Sequence, residues 1–442
     1  MERRELARRL RSLRFRRQVS GTSARPNFKS QAAWIVLAAL ALFSFWNDWK
    51  MVSQTGSIDF RNRVTGARLL LAGEDAYHYK WLPGAPAGWC DVYANRAHPV
   101  TKTTVTPAML LLTSPVAALP YPAAQRAWLL LEWACLLGIW WVWLAQFPQG
   151  WQRLLWTALL TGFSYTLAWK HHIDRGQYYI ILALLLSVWI TRSHVRNQAK
   201  AALPGALAGL LIALRPPLFL LIAPFLWFRR PEQRQSAAFA LAAAVILPFL
   251  LNGGTWSQYA QAMGEWSHLY RHNDNPAPGA IAYPAVIEGL KLDQLSHYAV
   301  PQYADSSLFR LLRACGIAPV PAPLLLAALA ISLGFWVRAT KPAEDGTWLT
   351  GIAAWSFLID FFLPAYRNPY NDVLILNVMA WLLLKSERQG AAQNLLGFPL
   401  LFGYILALRE PSALWMIHLP TLLLTGLTLL ALWPQAAASR LK

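Results

Sequence analysis

Long apolar runs recur along almost the whole chain, and nothing else in the sequence constrains its fold as much. A membrane-spanning helix needs about 20 mostly apolar residues, within a range of roughly 17–25. Twelve candidate spans can be read, at 31–48, 123–145, 152–169, 177–191, 201–214, 217–228, 236–251, 323–338, 347–364, 373–385, 393–408 and 412–433. Arg215-Pro216-Pro217 separates the fifth from the sixth. Proline removes an amide donor and bends helices, so that pair reads as two tilted spans, one kinked span or a re-entrant pair. Charged residues make up only 14% of the chain, against about 25% in a soluble domain. The expected class is an all-α integral membrane bundle of about 12 transmembrane helices.

The net charge of +19 would by itself suit a nucleic-acid binder, but the placement of the charge argues for a membrane and no nucleic acid. Ten Lys and Arg lie in the first 29 residues, and most others punctuate the gaps between apolar runs. Such residues set orientation and meet lipid headgroups. With the basic N-terminus in the cytoplasm, the inner loops receive Arg153, residues 192–200, Arg229 with Arg230 and Arg234, Arg338 with Lys341, Lys385 with Arg388, and the tail from Arg440. One orientation thus satisfies the positive-inside rule repeatedly. The reading is a basic cytoplasmic segment at 1–30, an uncleaved first span opening a transmembrane domain at 31–433, and a cytoplasmic tail at 434–442. A bacterial inner (plasma) membrane is the expected location.

The periplasmic side then receives two large loops, 49–122 and 252–322, and four short connectors. Ordered loops of this length are usually functional. In the first loop, Phe60, Val64, Ala67, Leu70 and Leu71 recur near helical spacing and Gly73 can stop a helix. That stretch and Pro107 to Leu119 are expected to be helices lying in the outer interface.

Polar chemistry gathers on the same side. Asp59 follows the first span. It can cap the amphipathic helix or take a proton from an acceptor hydroxyl. Cations near outer helix ends include Arg61, Arg63, Arg68, Lys170, His172, Arg175, Arg215 and Arg367. They can anchor headgroups or hold a lipid-linked phosphate as a leaving group. Arg215 stands out, because a lone charge in an apolar stretch is costly. Cys90, Cys135 and Cys315 show no metal-ligand spacing, and a Cys90–Cys315 disulfide stays open. His268 to Asn275 is metal-capable by type but lacks a His pair at helical spacing, so no metal is expected. Without a phosphate-binding Gly-rich motif for a nucleotide, an activated donor must come from elsewhere.

The order of short segments resembles the GT-C superfamily of polyprenyl-phosphate-sugar-dependent glycosyltransferases, and within it glycosyltransferase family 87. The segments are Ser57-Ile58-Asp59-Phe60, Ala67 to Tyr77, Thr106-Pro107 with Ser114 to Pro120, Gly176-Gln177-Tyr178-Tyr179-Ile180, and Leu214-Arg215-Pro216-Pro217. Thr106 stands where the family usually has an aromatic, and Tyr179 where Asn is common. The resemblance implies a GT-C-like bundle with interfacial helices in the first periplasmic loop, and Asp59 as catalytic base without a cofactor. It implies an inverting transfer of a hexose, mannose-like, from a polyprenyl-phosphate sugar to a lipid or glycan acceptor. The expected phosphate ligands are Arg215, Arg367, Arg175 and His172, and the expected sugar platforms are Trp81, Trp89, Tyr366 and Tyr370. The rival readings are a transporter or flippase of lipid-linked sugars, a non-catalytic part of an envelope polysaccharide assembly complex, and a membrane acyltransferase.

Overall fold

The computed structural model describes residues 28–90, 103–148, 150–193, 202–227, 229–272, 286–288, 290–291, 307–308, 312, 315–317, 321–340, 347–362 and 367–385. In chain order the helices are α1 (Phe28–Thr55), α2 (Ile58–Leu71), α3 (Pro107–Ala117), α4 (Tyr121–Leu144), α5 (Gly150–Phe163), α6 (Leu167–Arg175) and α7 (Tyr179–Arg192). They continue with α8 (Ala202–Leu214), α9 (Phe219–Trp227), α10 (Pro231–Leu251), α11 (Thr255–His272), α12 (Ala322–Thr340), α13 (Thr347–Phe362) and α14 (Ile375–Lys385). Short 3-10 turns occur at Ala87–Trp89, Pro216–Leu218 and Pro369–Leu374. The strand content among the described residues is one small hairpin, β1 (Val286–Ile287) with β2 (Leu290–Lys291).

The first ten apolar runs fall on helices; the runs 393–408 and 412–433 lie outside the described residues. The run 152–169 is divided: α5 ends at Phe163 and Thr166 caps α6, accepting from Trp169 N at 3.3 Å. Among the described residues three helices are long and apolar enough to cross a membrane, namely Gln31–Gln54, Tyr121–Leu144 and Pro231–Leu251. The pair α6–α7 passes the same test together but is bent by 114°. The protein is an integral membrane helical protein, with α4 and α10 exposing Leu130, Leu137, Trp141, Phe239, Ile246, Phe249 and Leu250 as an apolar coat suited to lipid.

Packing divides the chain within α1, into Met1–Phe43 and Ser44–Lys442. In the first unit Ile35, Val36, Leu42 and Phe43 are exposed. In the second, α8 and α10 cross closely because Gly205 and Gly209 lack side chains. A Cβ there would sit 2.3 Å from Gln233 O and 2.2 Å from Ala237 O, the small-residue contact by which membrane helices approach. Asn377 ties α14 to α7 and α4. It donates to Ala183 O at 3.1 Å and accepts from Ser187 Oγ at 2.6 Å and Trp143 Nε1 at 3.1 Å.

The helix expected at Asp59 to Ala72 is α2, but it does not lie with one open face. Ile58, Phe60 to Ala67, Leu69 and Leu70 are all buried. Its polar side is occupied by the loops. Thr103 Oγ1 donates to Asn62 O at 3.1 Å, and Arg68 donates to Ala117 O and Leu119 O, both at 2.8 Å, and to Gly88 O at 3.2 Å. Glu288, at the tip of the hairpin, pairs with Arg68, and Asn252, just past α10, donates to Glu74 O at 2.9 Å. Cys90, Cys135 and Cys315 are not joined in a disulfide.

Candidate functional site

The site begins at the reversal between α1 and α2. Gly56 (φ 75°) and Ser57 (φ 43°) are both left-handed and turn the chain back. For Ser57 that conformation is strained, and α4 holds it. Tyr121 Oη donates to Ser57 O at 3.0 Å, and Gln125 Nε2 donates to Val52 O at 2.8 Å and Ser57 Oγ at 3.2 Å. Ser57, not Asp59, takes the N-cap position. Asp59 sits in the first turn, where the helix dipole favours a carboxylate.

Opposite it lies the α6–α7 bend. Gly176 adopts φ 60°, and the chain reversal is closed by Gly176 N to Ile173 O and Gln177 N to His172 O, both at 2.9 Å. A side chain is impossible there without movement: a Cβ would lie 2.6 Å from Phe60 Cβ. The bend therefore rests directly on the first turn of α2. Gln177 Nε2 donates to Asp59 Oδ2 at 2.6 Å, while Gln177 Oε1 accepts from Arg63 Nη1 at 3.3 Å. Arg63 also donates to Gly176 O, and Arg175 Nη1 stands 3.7 Å from Asp59 Oδ1. The Asp59 side chain keeps 30% of its surface open. Arg63 is buried over the rings of Trp128 and Tyr178, at 5.7 and 5.6 Å. Burial lowers the Arg63 guanidinium pKa, and the Asp59 charge opposes that shift.

From Tyr178 the polar contacts continue. Its ring stacks on Tyr179 at 4.8 Å. Tyr179 Oη accepts from Arg215 Nη1 at 2.8 Å. Arg215 forms an ion pair with Asp360 of α13. Asp360 also accepts from Asn371 Nδ2 at 2.6 Å and faces Arg367 Nε at 3.7 Å, and Arg367 pairs with Asp372. Tyr370 packs on Tyr179 with ring centres 5.7 Å apart. Asp59, Arg175, Arg215, Arg367 and Tyr370 thus share one continuous set of contacts, drawn from α2, α6, the α8–α9 break and the segment after α13.

Other expected site residues sit differently. His172 is fully buried; its Nε2 accepts from Ile180 N at 3.1 Å and its Nδ1 faces Glu132 Oε1 at 3.2 Å. Both ring nitrogens are turned to protein, which leaves none for a phosphate. Trp81 is buried with its indole N–H donating to Pro86 O at 3.0 Å, so its place is in the packing of its own loop. Trp89 is half-buried, edge-on to Tyr79. Tyr366 lies outside the described residues. Among the described residues no group of three His, Cys, Asp or Glu is placed to hold a metal ion.

Three carboxylates absent from the sequence reading are central here. Asp48 accepts from the indoles of Trp169 at 2.8 Å and Trp133 at 3.1 Å and pairs with Lys170. Glu132 faces His172, and Asp360 joins Arg215 to Arg367. Each is a single acid inside an apolar run, and that rarity was the available signal. Chemically, the arrangement offers Asp59, an accessible carboxylate beside guanidinium groups, which is the kind of setting in which a proton acceptor stands next to anion partners.

No curated protein and no solved structure matches the chain. The family model of glycosyltransferase family 87 matches residues 104–358, more than half of the sequence. That stretch contains Glu132, His172, Gly176, Gln177 and Arg215; Asp59 lies before it and Asp360 just after it. The chain therefore belongs to glycosyltransferase family 87.

Proposed function

We propose that this glycosyltransferase moves a hexose, mannose-like by family resemblance, from a polyprenyl-phosphate sugar to a lipid or glycan acceptor at the non-cytoplasmic face of a bacterial inner membrane. The observation that carries the reading is the setting of Asp59. It is held at 2.6 Å by one neutral amide, has Arg175 at 3.7 Å, and is 30% open. A carboxylate so placed keeps a lone pair free for an incoming hydroxyl.

The acceptor O–H gives its proton to Asp59. The acceptor oxygen forms a bond to the anomeric carbon as the bond from that carbon to the phosphate oxygen breaks. The electron pair leaves with the polyprenyl phosphate, and attack from the opposite face inverts the anomeric centre. Arg175 and Arg215, each with some side-chain surface open at 15% and 13%, receive the developing phosphate charge. Arg367, 1% exposed and paired with Asp372 and Asp360, supports Arg215 through Asp360. Tyr370 and Trp89, both half-buried, are the aromatic surfaces for the sugar. With the expected bundle of about 12 spans in the positive-inside orientation, this cleft would face the periplasm.

The test is a transfer assay with purified protein, a panel of polyprenyl-phosphate sugars, and product stereochemistry read by NMR. Turnover with inversion, lost in Asp59→Asn, supports the reading. Turnover only with nucleotide sugars, or full activity in Asp59→Asn, overturns it. A flippase would instead move labelled donor across sealed vesicles without forming product.

A further inference from the structure

The α6–α7 bend aims Gln177 at Asp59, and something must hold that bend in an apolar surrounding. A helix that starts after a 114° break has first-turn amides with no intrahelical acceptor, and in lipid each orphan is costly. Tyr178, the N-cap residue of α7, provides no side-chain bond. The acceptor comes from the other side of the break: His172, on α6, takes the Ile180 amide on its Nε2 at 3.1 Å. The carbonyl of the same residue accepts from Gln177 N at 2.9 Å. His172 thus grips both Gln177, two residues ahead of α7, and the first turn of α7.

That grip depends on the state of the imidazole. An Nε2 that accepts carries no proton, so the proton of the neutral ring lies on Nδ1. Nδ1 faces Glu132 Oε1 at 3.2 Å, with the two side chains 0% and 1% exposed. The ring is also fixed in plane, stacked on Trp169 at 5.7 Å with an interplanar angle of 3°. Trp169 in turn is anchored by its indole N–H on Asp48 at 2.8 Å.

We infer that Glu132 and His172 are a buried positioning pair for the transfer reaction: Glu132 selects the imidazole tautomer, His172 caps α7, and the bend then presents Gln177 to Asp59. Neither side chain reaches a substrate. The inference rests on the transferase reading for its kinetic part and on geometry alone for the capping part.

Four variants of the full-length, detergent-purified protein test it. Asn at 172 is too short to reach the Ile180 amide, whereas the oxygen of Gln extends to about the place of Nε2. Gln at 132 keeps an oxygen that can sit opposite Nδ1, and Leu does not. In His172→Asn and Glu132→Leu, kcat is expected to fall about ten-fold or more, with the donor KM within about two-fold of wild type. Hydrogen exchange at the Ile180 amide is expected to speed up about ten-fold. His172→Gln and Glu132→Gln are expected to restore most of both. Unchanged Ile180 exchange in His172→Asn, or equal loss in all four variants, overturns the inference. Should the two disruptive variants not accumulate as folded protein, His172→Gln decides: a protected Ile180 amide supports the cap and a fast one refutes it. Exchange is measured without substrate, so an inactive wild type would defeat the transferase reading and leave the pair to be judged on exchange.

Discussion

Asp59 and Asp360 are two carboxylates on one network, treated in opposite ways. Asp360 is 2% exposed and saturated: Arg215, Arg367 and Asn371 all converge on it. Asp59 is 30% exposed and has one amide and one more distant guanidinium. Two cations and an amide converge on Asp360, and its oxygens are spent on cohesion. A base needs the reverse, a carboxylate fixed in direction but left open on one side. The contrast separates a residue that assembles the site from one that can act in it, although both are acids beside arginines.

The comparison can be broken most sharply at Asp59. Asp59→Asn keeps the shape and the Gln177 contact but removes the proton acceptor. Transfer is expected to fall about a thousand-fold, with donor binding and thermal unfolding unchanged. Asp360→Asn is expected to show the opposite pattern. It leaves two buried guanidinium groups undercompensated, and stability should fall by about 3–5 kcal/mol, read as a lowered unfolding temperature in detergent. A stable but inactive Asp360→Asn would reverse the two roles. Gln177→Ala removes a hydrogen bond to a charged group, worth about 1.5–3 kcal/mol. It should lower kcat by about ten- to a hundred-fold while leaving the unfolding temperature near wild type. Gly176→Ala sits at positive φ against Phe60 Cβ. It is expected to cost about 1–3 kcal/mol of stability and to lower kcat less than Gln177→Ala does.

Much of the fold was legible because apolar runs report their own helices. The run at 123–145 became α4 to within two residues, and the runs at 31–48 and 236–251 fall inside the longer α1 and α10. Capping chemistry was less legible: Asp59 was the cap candidate for α2, and Ser57 takes that position. Asp59, Arg175, Arg215 and Arg367 could be named as a set from charge placement. Their joining could not, because the links run through residues that look unremarkable in sequence. Tyr178 and Tyr179 read as the start of a span, and Asp360 as a blemish near the end of one. The burial of both faces of α2 was illegible for a related reason. Apolar spacing identifies one buried face, but Arg61, Asn62 and Arg63 are buried as well, covered by loops whose partners lie far along the chain. His172 was legible as a polar residue at a helix end, while its partner Glu132 lies on a separate helix, hidden in an apolar run.

The dispersal of partners around α2 also sets the order in which a growing chain can complete the site. Asp59 emerges early, and its Gln177 contact can form once the α6–α7 bend has left the ribosome and entered the bilayer. Arg68 waits for Glu288, and Arg215 waits longer still, until Asp360 arrives on α13. For the whole interval between those two residues the nascent bundle carries an uncompensated guanidinium at a proline-broken helix. Biosynthesis of this enzyme therefore passes through a stage in which Asp59 is in place and the charge balance around Arg215 is not, and the acid on α13 is the residue that ends it.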